Sequence, residues 1–72
     1  MTLYETMHVF ADEVELIVQD KSGKILDCFT VAEGKTLPYH RLFDEKVIER
    51  YYNSLNMRLL IKLDYVESED TE

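Results

Sequence analysis

His8, Cys28 and His40 are the side chains of this 72-residue sequence whose types could supply a nucleophile, a general base or a set of soft metal ligands. Their spacing argues against all three. No C-x-x-C, H-x-x-x-H or H-E-x-x-H pattern joins them, and they fall on three different expected elements. His8 is expected on the polar side of a first helix and His40 beside Pro38, both in solvated or capping roles. Asp12, Glu13 and Glu15 form a local acidic cluster of the kind that could hold a divalent cation through oxygen ligands. The D-x-D-x-D-G spacing of a calcium loop is absent, however, and alternate carboxylates along a strand are ordinarily a solvated face. Paired carboxylates for acid–base work need a cleft that shifts their pKa values, for which so small a core has little room. Gly23 and Gly34 are the only glycines, so no glycine-rich phosphate loop exists. No catalytic residue, metal ligand or cofactor is therefore assigned, and the protein is expected not to be an enzyme.

The remaining chemistry is that of contact surfaces. Five tyrosines are many for this length. Tyr51 and Tyr52 are neighbours and must point to opposite faces of any strand that holds them, so at least one is expected in solvent. An exposed tyrosine near Arg50 and Arg58 has the composition of an interface anchor. The bland alternative is that tyrosines pave a thin core with their hydroxyls in water. Leu26, Leu60 and Val66, on outward rows, favour a sheet that something covers: its own helices, another copy or a foreign partner. Glu13, Glu15 and Asp27 complete the expected partner-binding set with Arg50, Tyr51, Tyr52 and Arg58.

These residues need elements to position them. Met57, Leu59, Ile61, Leu63 and Tyr65 alternate with Arg58, Lys62 and Asp64, a period of two that gives a strand with one buried face. Before it, Asn53-Ser54-Leu55-Asn56 carries turn chemistry, and the β-branched and aromatic content of VIERYY favours a partner strand. Tyr39, Leu42, Phe43, Val47, Tyr51 and Leu55 also fit one helix running from Pro38 through Asn53, and periodicity alone leaves both arrangements open. Thr2 and Glu5 have the spacing of a capping box, with Leu3, Met7 and Phe10 at helical intervals, so a short helix is expected from Thr2 to about Phe10. EVELIVQD is a strand with Val14, Leu16 and Val18 inward, and Asp20-Lys21-Ser22-Gly23 a turn. Lys24 to Val31 follows as a strand with Ile25, Phe29 and Val31 on one face and Leu26, Cys28 and Thr30 on the other. Ala32-Glu33-Gly34-Lys35 is a break, and Pro38 suits the first turn of a short helix from which Tyr39, Leu42 and Phe43 face inward. The expected fold is α+β, a small and mainly antiparallel four-stranded sheet with an N-terminal helix and a short central helix in the order α-β-β-α-β-β. Residues 1–66 form its single domain, and 67–72 an acidic disordered tail.

Fifteen acidic and eight basic residues give a net charge of −7, which argues against direct binding of nucleic acid through its phosphates. Glu67, Glu69, Asp70 and Glu72 all lie in the tail, so the rest of the chain carries only −3. A chain this short buries only about 60% of its unfolded surface, which makes self-association advantageous. One cysteine excludes an internal disulfide and fits a reducing compartment. No apolar run approaches the roughly 20 residues that cross a bilayer. The expectation is a cytoplasmic protein of the host cell with no membrane partner.

The order of motifs resembles small hypothetical proteins encoded by phages and mobile elements of Gram-positive bacteria. LYETM at the start, VELIVQDKSGKIL as strand-turn-strand, LPYHRLFDEKVI leading into a strand and the closing RLLIKLDY carry the resemblance over nearly the whole chain. LFDEKV and the long turn NSLN depart from the group's pattern. The resemblance implies a fold and a genomic setting; the group has no agreed activity to carry over. In that setting one expectation is a counter-defence inhibitor that occupies a basic nucleic-acid-binding host protein, as many acidic anti-CRISPR proteins do. It gains if Glu13, Glu15, Asp27 and Glu33 line one face. The alternative is a structural or accessory subunit that self-associates through its sheet.

Overall fold

The structure, a computed structural model, describes residues 1–38 and 40–66. The expected acidic tail at 67–72 and the inward placement of Tyr39 lie outside the described residues. Two helices and four strands follow one another as α1 (Leu3–Met7), β1 (Glu15–Gln19), β2 (Ile25–Thr30), α2 (Val31–Thr36), β3 (Val47–Asn53) and β4 (Arg58–Leu63). This is the expected α-β-β-α-β-β order. The sheet runs β2-β1-β4-β3, two antiparallel hairpins whose inner strands, β1 and β4, lie side by side and parallel. The sheet is thus mixed, antiparallel in both outer pairs.

Alternation places one row of each inner strand against the helices. Leu16 and Val18 of β1 and Leu59, Ile61 and Leu63 of β4 are fully buried, and with Leu3, Met7, Phe29, Val31, Leu42 and Phe43 they form the core. Both helices are short and depend on caps, since five or six residues cannot hold a helix in water unaided. Glu5 donates its backbone N–H to Thr2 Oγ1 at 3.2 Å while Glu5 Oε1 accepts from Thr2 N at 2.9 Å, the reciprocal box expected from sequence. The helix closes earlier than expected, with His8 as its C-cap. Phe10 still packs on the core and sets its ring 5.4 Å from that of Tyr52.

The central helix lies one segment earlier than the position of Pro38 predicts. Thr30 and Glu33 form a second capping box, Glu33 N to Thr30 Oγ1 at 3.1 Å and Thr30 N to Glu33 Oε1 at 2.9 Å, so AEGK is helix and not a break. Residues 40–45 are instead a run of turns, Phe43 N bonding His40 O and Glu45 N bonding Leu42 O, which still bury Leu42 and Phe43. The open choice at Val47–Asn53 resolves as a strand.

Two irregularities reset the expected faces. Val18 pairs with Asp27 but Gln19 with Ile25, so Leu26 is an extra residue in β2. Ile25 is rotated out to solvent and Leu26 in toward the core, the reverse of the strict alternation. A second shift between Val47 and Glu49 does the same at Ile48 and lets Val47 pack on the core. The N-terminal residues run along this end of the molecule: Val47 N donates to Met1 O, Leu3 N to Glu45 O and Tyr4 N to Phe43 O. The outer edge of β3 is thereby covered where the strand begins.

Candidate interaction surface

With α1, α2 and the 40–45 turns all on one side, the other side of the sheet carries no covering layer among the described residues. Strand register defines what it displays. Cys28, Ile17, Leu60 and Tyr51 are successive partners and form one row across all four strands. On one flank runs Ile25, Gln19, Lys62 and Glu49; on the other run Thr30, Glu15, Arg58 and Asn53. Tyr51 is 66% exposed and Leu60 38%, and Ile25 and Cys28 are exposed too. An apolar stripe in the middle of a polar surround is the pattern of an interface core and its rim.

The flanking charges are paired within the face. Arg58 Nε donates to Glu15 Oε1 at 3.1 Å, and Lys62 Nζ lies 3.6 Å from Glu49 Oε1. Exposed pairs of this kind add about 0–1 kcal/mol to stability. Their larger effect is to make the face charge-balanced in a chain of net charge −7. Two shallow depressions flank the stripe, one of about 280 Å³ lined by Gln19, Glu49, Arg50, Tyr51, Leu60 and Lys62, the other of about 180 Å³ lined by Ile17, Tyr51, Asn53, Asn56, Arg58 and Leu60. Both fall below the roughly 300–1,000 Å³ of small-molecule sites. At the tip of the β3–β4 hairpin Leu55 stands 97% exposed, and Met57 takes a positive φ of 54° to close the turn.

Of the expected partner-binding residues, Glu15, Tyr51 and Arg58 come together on this open face. Arg50 and Tyr52 pair with Ile61 and Leu59 and therefore belong to the helix-bearing side, where Arg50 Nη1 reaches Met1 Sδ at 3.4 Å. Asp27, partner of Val18, also lies on that side, and Glu13 precedes β1. Glu33 is engaged in capping α2. The four carboxylates that duplex mimicry would need on one surface are thus divided among several. Ile17, Glu49 and Lys62 belong to the open face and were not singled out from sequence, because a period of two gives each strand's faces but not its neighbours.

Asp27 and His40 form a carboxylate–imidazole pair, Nε2 to Oδ2 at 2.8 Å, with the ring stacked 5.4 Å from Phe29. Leu42 N–H donates to the other ring nitrogen, Nδ1, at 3.1 Å, so Nε2 carries the proton that faces Asp27. Both nitrogens are engaged, and neither is left to accept a proton from a substrate. Cys28 projects from the opposite side of the sheet. His8 Nδ1 sits 2.8 Å from Tyr4 O at the end of α1. The acidic cluster is dispersed as well, Asp12 to Lys35 at 3.0 Å and Glu15 to Arg58. Among the described residues no group of three or more His, Cys, Asp or Glu is placed to hold a metal ion. None of their helices is long and apolar enough to cross a membrane. Comparison with family models, with curated proteins and with solved structures gives no match to this chain.

Proposed function

We propose that the protein is a non-enzymatic protein-interaction module that docks through the open face of its sheet. The observation that carries this reading is the stripe Cys28–Ile17–Leu60–Tyr51, which crosses all four strands without a charged residue and is flanked by rows that carry the charges of the face. Leu60 at its centre and Tyr51 at its β3 end supply apolar area to remove from water, and the two depressions beside them give a partner's side chains somewhere to seat. Within the mobile-element setting that the resemblance implies, the partner is a cytoplasmic protein of the host or the chain itself. Charge balance on the face favours the second. A basic host protein would meet Arg58 and Lys62 as well as Glu15 and Glu49, with little electrostatic steering. The test is capture with a tagged chain in the native host, comparing wild type with Leu60→Lys and with Tyr4→Lys on the helix-bearing side. Specific partners, other copies included, are expected to be retained by wild type and Tyr4→Lys and lost with Leu60→Lys. A partner set unchanged by Leu60→Lys overturns the reading.

A further inference from the structure

From the register of the two inner strands we infer that the open face is covered by a second copy of this chain, related by a two-fold axis that runs along the strands between β1 and β4. The inference rests on the docking reading above and names its occupant. Glu15 is level with Arg58, and Ile17 with Leu60, because β1 and β4 pair parallel in that register. A two-fold along the strand direction exchanges the two inner strands, laying β1 of one copy over β4 of the other. Each Glu15 then meets Arg58 of the second copy, and each Ile17 meets Leu60. The stripe is buried against itself while two ion pairs close across the interface in place of, or shared with, the pairs made within each copy. An axis perpendicular to the strands lays Arg58 over Lys62 of the second copy, like charge on like. Charge complementarity therefore selects the first arrangement.

Sheet packing geometry agrees with this choice. Twisted sheets that stack face to face keep their strands within about 30° of alignment at a separation of about 10 Å. The product is a four-layer assembly of helices, sheet, sheet and helices, in which the single-sided core of each copy gains its missing cover. The apolar contact is confined to one row of side chains on each copy, so the association expected is on the order of micromolar and not nanomolar.

Sedimentation equilibrium of the full chain tests it. Wild type is expected to show a reversible monomer–dimer equilibrium. Glu15→Arg and Arg58→Glu are each expected to weaken it by about tenfold or more, because each places like charges opposite at both symmetry-related contacts. An equimolar mixture of the two is expected to recover association to within about threefold of wild type, as a heterodimer in which both contacts are again Arg on Glu. Within each variant the local pair stays repulsive, so the recovery reads the contact between copies alone. Tyr51→Ala, on an exposed position, is expected to weaken the dimer by about fivefold and serves if a charge variant fails to fold. A wild type that remains monomeric at several hundred micromolar, a dimer indifferent to these substitutions, or a mixture no stronger than its components overturns the inference. A monomeric wild type whose heterologous partner is lost with Leu60→Lys would leave the docking reading standing and remove only the second copy.

Discussion

Gly34 of α2 passes against the thioether of Met7 of α1, so closely that a β-carbon at position 34 would run into the Met7 sulfur. The Phe29 ring closes the other side, its Cε2 3.4 Å from where that carbon would stand. Met7 is fully buried, so its side chain has no solvent to retreat into. Glycine inside a helix ordinarily costs about 1 kcal/mol relative to alanine, and Gly34→Ala in a free helix would stabilise by that amount. Here overpacking of about 1–3 kcal/mol opposes it. The expected outcome is a net loss of up to about 2 kcal/mol in urea unfolding, and an alanine variant more stable than wild type would show that the two helices do not meet at this point.

That contact also explains why the sequence points to a central helix one segment later than the observed one. Gly34 carries the signature of a loop, and Thr30 at the end of an apolar alternation reads as strand, so the spacing Thr30–Glu33 does not stand out as a capping box in the way that Thr2–Glu5 does. The glycine is there for space between helices, which only tertiary packing reveals. Strand identities were legible because burial of one face imposes a period of two on β1 and β4. Their parallel pairing was not, since alternation carries no information about which strand lies alongside. The bulges at Leu26 and Ile48 were equally hidden, each being one extra residue that slips the faces beyond it. Consequently Glu15, Tyr51 and Arg58 could be singled out as surface residues, while the row that unites Tyr51 with Leu60, Ile17 and Cys28 needed the register.

The β1–β2 turn depends on one carboxylate. Asp20 is 1% exposed, and its Oδ1 accepts from Ser22 N at 2.9 Å, Ser22 Oγ at 2.7 Å and Lys24 N at 2.9 Å, while Gly23 takes the positive φ of 97° that the turn requires. Asp20→Ala deprives these three donors of one shared acceptor and is expected to cost about 1–3 kcal/mol. Asp20→Asn keeps an acceptor oxygen and should recover about half of that. Amide exchange at Ser22 and Lys24 checks the assignment, because both must lose protection in Asp20→Ala more than the amides of β4 do.

Thr30 is expected to matter as much as Thr2. Each hydroxyl accepts the N–H three residues on, and each glutamate returns the bond. Thr30→Ala should cost about 1 kcal/mol and Thr30→Ser nearly nothing, read by thermal or urea unfolding. Equal losses for the alanine and serine variants would mean that the methyl group, and not the cap, is what position 30 contributes.

Leu59 and Leu60 are adjacent in β4 and separated by the thickness of the sheet. Leu59 is fully buried in the core beside Leu16, whereas Leu60 is 38% exposed on the open face. Leu59→Ala leaves a cavity that the surrounding side chains fill only in part, and about 2–5 kcal/mol of stability is expected to go with it. Leu60→Ala removes a side chain with solvent on one side, at an expected cost below about 1 kcal/mol in dilute solution where the chain is monomeric. Raising the protein concentration should widen the Leu60 difference and leave the Leu59 difference unchanged, because stability gained from a partner grows with that partner's concentration and stability gained from the core does not. Urea midpoints measured at low and high micromolar protein separate the two. Equal losses at both positions and both concentrations would mean that the sheet has no open side, and a Leu60 loss independent of concentration would mean that the chain does not cover this face with itself.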